Sequence, residues 1–256
     1  MRNEICNALR KLEEEHDCRI LFAAESGSRA WGFASPDSDY DIRAIYVKPR
    51  DWYLSMEDNP KDAIEAMLPN DLDISAWELR KALRQFAKGN LSLFEWFGSP
   101  IIYESDERFM AEIVPLLPDF FNPVKAVHHY LAIHDKAMSD MDEQGRIGIK
   151  KLFYALRGFF AAAWSADRKT MPPTEFNRML IPELFPNEIL ELVMVLKGQK
   201  ENAIEKQRID MPEKITEYFQ SQRISLEIQM KSDEKRTCNP DLLNRILRHF
   251  ICGEAK

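Results

Sequence analysis

Two short groups of residues near the N-terminus have types and a spacing that could hold a metal-bound triphosphate. Gly27 and Ser28 form a glycine-serine turn, which can offer backbone N–H groups and a hydroxyl to phosphate oxygens. Asp39 and Asp41 follow after a spacer, and alternate residues of a strand point to the same face. Because paired carboxylates repel unless a cation lies between them, the pattern predicts a hard divalent ion, most simply Mg²⁺.

The segments around these residues have patterns typical of strands. An apolar run at 19–24 ends at the glycine-serine turn and predicts a buried strand, and the spacer with its glycine and proline predicts a loop. Residues 40–47 are rich in β-branched and aromatic side chains and predict a second strand. Shorter strands are expected at 71–75 and 101–103. The carboxylates are therefore expected where strands begin or end beside the turn.

Helical signals occupy most of the remaining chain. Residues 3–16 predict an amphipathic helix. Ser75 and Glu78 match a capping box that would open a helix, which Gly89 would close. Strand signals stop at about residue 122, after which we expect helices near 124–139, 147–166, 187–197, 212–230 and 240–251.

This order of elements predicts an α+β fold. We expect a small mixed β-sheet domain over residues 1–120 to carry the chemistry. Residues 121–256 are expected to form a helical C-terminal domain that closes over the nucleotide, with the site in the cleft between the two.

Composition limits the functions that fit this chain. It has 256 residues, 45% of them apolar, and a net charge of −7. An acidic chain is a poor non-specific ligand for long nucleic acids, although a discrete RNA end remains a suitable substrate. No apolar run is long enough to predict a membrane span, and the four cysteines show no metal-site spacing. We expect a reduced cytoplasmic protein, and the sequence does not determine its oligomeric state.

The spacing of the turn and the carboxylates resembles a known family signature. Gly27-Ser28, the spacer and Asp39-Tyr40-Asp41 resemble the Gly-[Gly/Ser] … Asp-hydrophobic-Asp motif of the DNA polymerase β nucleotidyltransferase superfamily. The resemblance implies a polymerase β-like domain and a third carboxylate on a later strand, completing a site for two Mg²⁺ ions, with Mn²⁺ as the alternative ion. Asp73 matches that position best, and Asp71 is the weaker candidate.

Further blocks resemble one subfamily, the predicted nucleotidyltransferases of phages and bacteria that are linked to RNA repair. These blocks lie at 27–43, 77–83, 93–101 and 150–157, so the resemblance covers residues 27 to about 180. One departure is Gly158, where related sequences often carry proline. We expect this change to alter the helix locally and to leave the site unaffected.

Several cations could contact the nucleotide. At helical spacing, Lys150, Tyr154 and Arg157 lie together at one edge of an apolar stripe, where they could reach triphosphate and base or form a solvated flank. Lys151 points nearly opposite to that stripe, so Lys150 is the better phosphate candidate.

Two arginines close to the carboxylates have alternative roles. Arg29 could pair with phosphate or form a structural ion pair. Arg43, which shares a strand face with Asp41, could neutralise the carboxylates or touch substrate.

The activity that these residues imply is transfer of a nucleoside monophosphate from a nucleoside triphosphate such as ATP to a hydroxyl acceptor, favouring an RNA end. Two metals would clamp the attacking and leaving oxygens. One alternative is a protein hydroxyl as the acceptor. The other is a non-catalytic nucleotide-binding or antitoxin-like module. The sequence leaves the base preference and the acceptor open.

Overall fold

The computed structural model describes residues 1–56, 61–69, 71–201, 207–229 and 239–253, without the side chains of 227–229. The chain forms two compact units. The first comprises Met1–Ala30, Asp39–Phe120 and the described part of Arg236–Lys256. The second comprises Trp31–Ser38 and the described part of Phe121–Lys235. The spacer between the glycine-serine turn and Asp39 therefore folds with the second unit.

The α-helices begin and end as follows. They are α1 Arg2–His16, α2 Gly27–Trp31, α3 Arg50–Tyr53, α4 Leu79–Ala87, α5 Leu91–Phe97, α6 Glu107–Ile113, α7 Leu117–Phe120, α8 Pro123–Met138, α9 Ile149–Arg168, α10 Asn187–Glu201, α11 Glu213–Gln229 and α12 Pro240–Cys252. Short 3₁₀ helices occupy Val114–Leu116 and Phe176–Met179. Among the described residues, no helix combines the length and the apolar character that a membrane crossing needs.

A mixed five-stranded sheet is the centre of the first unit. Its strands are β1 Arg19–Glu25, β2 Tyr40–Val47, β3 Ala63–Leu68, β4 Leu72–Glu78 and β5 Ile102–Ser105, in the order β3-β4-β2-β1-β5. β2 and β4 are parallel, whereas the other neighbouring pairs are antiparallel. The buried face of α1 packs with the apolar side chains of one sheet face. Side chains on the opposite face include Asp41 and Asp73, because strand residues alternate.

The helix after β4 begins later than the capping-box pattern predicted. Ser75 lies inside β4, and Glu78 is the N-cap of α4, where its carboxylate accepts the N–H groups of Arg80 and Lys81 at 2.8 and 3.2 Å. The hydroxyl of Ser75 instead donates to Glu65 on β3 at 2.8 Å. The prediction of a Ser75 cap was wrong because strand pairing with β2 continues through Glu78.

The second unit is largely helical, and α8 packs along α9. Gly158 lies where the two helices meet: a Cβ at this position would come within 2.7 Å of the Tyr130 carbonyl oxygen and 2.9 Å of the His134 nitrogen. α9 runs without interruption through Gly158, so the expected local change in the helix is absent. The glycine allows close helix packing instead.

Strands also occur where the sequence predicted only helices. β6 Arg146–Gly148 and β7 Arg208–Asp210 form a two-stranded antiparallel sheet in the second unit. The prediction that strands stop near residue 122 was therefore wrong, and β3 in the first unit was also missed. Three-residue strands carry too little alternation to be detected in a sequence. The α+β fold class is confirmed.

Candidate active site

The glycine-serine turn lies directly against the Asp41 carboxylate. Gly27 has a φ of +61°, and a Cβ at this position would lie 2.2 Å from Asp41 Oδ2. Ser26 N–H donates to the Asp41 carbonyl at 2.7 Å, which ties the start of the turn to β2. Gly27 and Ser28 form the first residues of α2, a helix of only five residues. The structure thus brings two parts of the sequence motif into contact, and only glycine fits there.

Asp73 lies beside Asp41 because β2 and β4 pair in parallel with these two residues in register. Arg43 bridges them: its Nη2 lies 3.1 Å from Asp41 Oδ1 and 2.8 Å from Asp73 Oδ2. The two carboxylates would otherwise repel each other, and the guanidinium supplies the opposite charge. Of the two roles considered for Arg43, the described contacts match neutralisation of the carboxylates.

Arg29 and Asp39 contact each other through the backbone of Asp39. Arg29 Nε donates to the Asp39 carbonyl at 3.0 Å, and its guanidinium lies 3.7 Å from the centre of the Tyr40 ring. These contacts hold the chain as it enters β2. The side chain of Asp39 is exposed, so its carboxylate is accessible to an ion.

Glu25 is a site residue for which sequence reasoning assigned no role. Its side chain is 1% exposed, yet Oε1 accepts the N–H of Asp41 at 2.8 Å and Oε2 accepts the hydroxyl of Tyr103 at 2.5 Å. Burial raises the pKa of the Glu25 carboxyl, and the hydrogen bonds from Tyr103 and Asp41 act against that rise. Glu25 therefore braces the backbone of the second motif aspartate. The signal for Glu25 that the sequence offered was a carboxylate at the end of an otherwise apolar strand.

The donor chemistry of this site fits Mg²⁺, which prefers carboxylate oxygens. Asp39, Asp41 and Asp73 are the residues that could hold it. Within the described part of the chain, however, no three His, Cys, Asp or Glu side chains are grouped as metal ligands. Asp41 and Asp73 share Arg43 instead, so an ion between them would have to displace this guanidinium or share the carboxylates with it.

In the second unit, Tyr154 and Arg157 contact Trp31 of the spacer. The Arg157 guanidinium lies 4.2 Å from the centre of the Trp31 ring, and the Tyr154 ring meets Trp31 edge-on with centroids 4.9 Å apart. Arg157 is 2% exposed, so it is not a solvated flank. Lys150 is half-buried and Lys151 is exposed. Nucleotide contact by Lys150, Tyr154 and Arg157 stays a prediction.

Two further residues that the sequence did not single out hold the spacer. Phe33 is buried against Phe153 and Phe176, with ring centroids 5.2 and 5.6 Å apart. Lys200 has an exposure of 0%, and its ammonium donates to the Ser35 hydroxyl at 2.8 Å. The spacer is thus anchored in the second unit by an apolar ring and a buried cation.

Comparisons with known proteins agree with the sequence motif. The protein-family model for RlaP, described as the RNA repair pathway DNA polymerase beta family, matches residues 1–249 of this chain. The chain is 34% identical over 254 residues to the uncharacterized protein YcgL of Bacillus subtilis (strain 168), covering 98% of this chain and 96% of that protein. The resemblance found at 27–180 therefore extends through nearly the whole chain.

A solved structure of a nucleotidyltransferase-like protein from Exiguobacterium sibiricum 255-15 matches 90% of this chain and 81% of that chain at 9% identity. Its TM-score of 0.30 is too low to support a conclusion about fold or activity. The family model and the Bacillus relative suffice: the chain belongs to the RNA repair pathway DNA polymerase beta family.

Proposed function

We propose that this protein is a metal-dependent nucleotidyltransferase that moves a nucleoside monophosphate from a nucleoside triphosphate to a hydroxyl of an RNA end. The observation that carries the proposal is the contact of Gly27 with the Asp41 carboxylate, beside Asp73 on the neighbouring strand. Membership of a polymerase β family linked to RNA repair supports the reaction class.

The roles of the residues follow from their chemistry. Backbone N–H groups at Gly27 and Ser28 bind triphosphate oxygens, and Asp39 and Asp41 would hold the metal. A Mg²⁺ ion held there would supply positive charge to neutralise the triphosphate. Asp73 accepts the proton of the acceptor hydroxyl, whose oxygen forms a bond to the α-phosphorus while the bond to pyrophosphate breaks. Arg43 keeps the carboxylates from repelling each other before the ion binds.

The first test is titration of each of the four nucleoside triphosphates, with and without Mg²⁺, into the wild type and Asp39→Ala/Asp41→Ala. We expect one triphosphate to bind only with Mg²⁺, and the double variant to lose that binding by tenfold or more. Transfer is then followed with the α-labelled form of that triphosphate and an RNA acceptor. Label on protein instead of RNA would mean that the acceptor is a protein hydroxyl and not an RNA end. Full turnover by the double variant would refute the assignment of Asp39 and Asp41 to the site.

Asp73 and Asp71 provide a matched pair for the third carboxylate. Asp73 lies next to Asp41 across β2 and β4, whereas Asp71 is exposed with a φ of +54°. Asparagine tolerates that backbone conformation, so Asp71→Asn keeps the turn. We expect Asp73→Asn to reduce turnover by at least 100-fold, as loss of a proton acceptor does, and Asp71→Asn to leave turnover near the wild-type value. Equal effects would contradict the assignment of Asp73.

One observation favours a second candidate, a nucleotide-binding module without catalysis. Arg43 pairs with both Asp41 and Asp73, and this arrangement satisfies the carboxylates without any ion. Under this alternative the triphosphate binds equally well in EDTA, and no label is transferred to any acceptor. Arg43→Gln discriminates the two functions: it should strengthen Mg²⁺ binding if the guanidinium competes with the ion, and weaken nucleotide binding if it replaces the ion.

A further inference from the structure

A groove of about 660 Å³ lies on the sheet face opposite the carboxylates, within the first unit. Tyr46 and Ile74 line it, and strand alternation points them away from the face that carries Arg43 and Asp73. The groove runs between α1 and β3, the edge strand of the sheet. Its volume lies within the range of roughly 300–1,000 Å³ that small-molecule sites occupy.

The floor of this groove is apolar. Leu12, Ile64 and Ile74 are buried there, and Ala66 and Leu68 are half-buried. A flat apolar group seated on this floor would cover the surface of Ala66 and Leu68 that is still accessible to water, which is favourable in proportion to the area covered. A lone inorganic anion would leave the floor uncovered.

One end of the groove is basic and aromatic, with Lys48, Lys61 and Trp52. The Lys48 ammonium donates to the carbonyl of His16, which carries no charge to balance it. Among the residues that the structure describes, neither Lys48 nor Lys61 forms an ion pair with a carboxylate. This end therefore attracts an anionic group, and Trp52 lies beside it.

The acidic residues of the groove have other partners. Glu15 pairs with Lys11 at 3.4 Å along α1. Glu65 accepts the hydroxyl of Ser75 at 2.8 Å on the opposite sheet face. These contacts occupy Glu15 and Glu65, so neither carboxylate neutralises Lys48 or Lys61.

Tyr46 adds an unsatisfied donor at this end. Its side chain is buried and lines the groove, and its hydroxyl has no hydrogen-bond partner within the described part of the chain. Buried polar groups are nearly always hydrogen-bonded in native proteins. Tyr46 is 0% exposed, so an acceptor atom of a ligand would supply the missing partner once the side chains that cover the hydroxyl shift.

We propose that this groove is a second binding site, for a single nucleotide, separate from the carboxylate site. The base would lie on the apolar floor with its edge toward Tyr46 and its ring near Trp52, and the phosphate would lie between Lys48 and Lys61. A base combines a flat apolar face with acceptor atoms at its edge, and it is joined to an anion. The size of the groove fits one nucleotide, and the net charge of −7 disfavours a long RNA tract.

The test is calorimetric titration of AMP, CMP, GMP and UMP, one at a time, into the full-length protein in EDTA. EDTA removes the divalent ions on which the proposed function depends. Binding in EDTA therefore tests the groove alone, and the Mg²⁺-dependent titration of triphosphates tests the carboxylate site alone. We expect one nucleoside monophosphate to bind at one site, with the same affinity in Asp41→Asn. Lys61→Gln should weaken its binding tenfold or more, and Tyr46→Phe, which removes only the hydroxyl, about threefold to tenfold.

Lys88→Gln is the control, because Lys88 is an exposed lysine at the end of α4 outside the groove, and it should bind as the wild type does. The proposal is overturned if no monophosphate binds in EDTA, if Lys61→Gln binds with wild-type affinity, or if Asp41→Asn loses the binding. A single-stranded RNA oligomer that binds through Lys61 more than tenfold tighter than any monophosphate would overturn the assignment to a single nucleotide.

Discussion

Gly27 combines two constraints at one residue, a left-handed backbone and the close approach of a carboxylate. Either constraint selects against a Cβ. Together they make this the position of the proposed site that tolerates a side chain least. Its φ of +61° and the 2.2 Å that would separate a Cβ from Asp41 Oδ2 act in the same direction. A change here therefore moves the Asp41 side chain as well as the backbone.

We predict that Gly27→Ala loses Mg²⁺-dependent triphosphate binding by tenfold or more. The left-handed backbone costs an alanine about 1–2 kcal/mol, and the contact with the carboxylate adds to it. Gly32→Ala is the control, since Gly32 also has a positive φ of +80° but its Cβ would meet nothing within 4 Å. Calorimetric titration compares the two variants, and equal binding losses would show that backbone strain alone is responsible.

Glu25 predicts a measurable pH dependence. Burial raises the pKa of its carboxyl in the folded protein, so between the unfolded and folded pKa values the folded state holds more protons than the unfolded state. The contribution of Glu25 to stability is therefore fully present below its unfolded pKa and falls as the pH rises through the folded pKa.

Glu25→Gln removes this titration. We expect urea unfolding to show that the stability of the variant, relative to the wild type, increases as the pH rises from about 4.5. Glu14→Gln, an exposed carboxyl on α1, should show no such trend. A pH-independent difference between the wild type and Glu25→Gln would contradict the raised pKa.

At the scale of elements, the packing of α8 on α9 depends on a glycine in a helix. Alanine is normally the better helix former by roughly 0.5–1 kcal/mol, but a Cβ at Gly158 would press on backbone atoms of Tyr130 and His134. Backbone atoms of a packed helix cannot rotate away as a side chain can. The steric cost of the Cβ should therefore outweigh the free energy that alanine gains from its higher helix propensity.

We predict that Gly158→Ala lowers the free energy of unfolding by about 1–3 kcal/mol, the usual cost of overpacking. Gly198→Ala in α10 is the matched control, because a Cβ there would meet nothing within 4 Å. That variant should be unchanged or more stable by up to about 1 kcal/mol. Denaturant unfolding measures both, and a stabilised Gly158→Ala would show that α8 and α9 can move apart at no cost.

At the scale of the whole molecule, the two units are not successive halves of the chain. α12 packs in the first unit, where Phe250 meets Phe109 with ring centroids 5.6 Å apart and His249 pairs with Glu112. The division at residue 120 therefore stays a prediction for the main break, while the last helix packs against α4 and α6 of the unit that carries the carboxylates.

Because α12 packs in the first unit, we expect a destabilising change in α12 to affect the first unit and not the second. Ile246 is buried on α12, and Ile246→Ala should cost about 2–5 kcal/mol. We expect hydrogen exchange to speed up in β1, β2 and α4 and to stay unchanged in α8 and α9. Arg245→Ala, an exposed neighbour on the same helix, should leave exchange unchanged in both units. Faster exchange confined to α8 and α9 would contradict the packing of α12.

The sequence by itself determined the chemistry-bearing motif, the α+β class and the bounds of β2, because these depend on residue type and local periodicity. The family followed from the same motif, and the match through residue 249 confirmed it. Glu25, Lys200 and the Arg43 bridge needed the tertiary structure. Glu25 and Arg43 meet partners on neighbouring strands, and Lys200 meets Ser35 of the spacer. No local pattern records which side chains meet across a sheet or inside a packed unit.

The path of the spacer also needed the tertiary structure. The glycine, proline and serines of the spacer predict a loop, yet Phe33 and Ser35 are buried in the second unit. The position of α12 and the groove that Tyr46 lines also needed the tertiary structure. Burial is a property of what packs around a residue, and that depends on contacts between segments far apart in the chain.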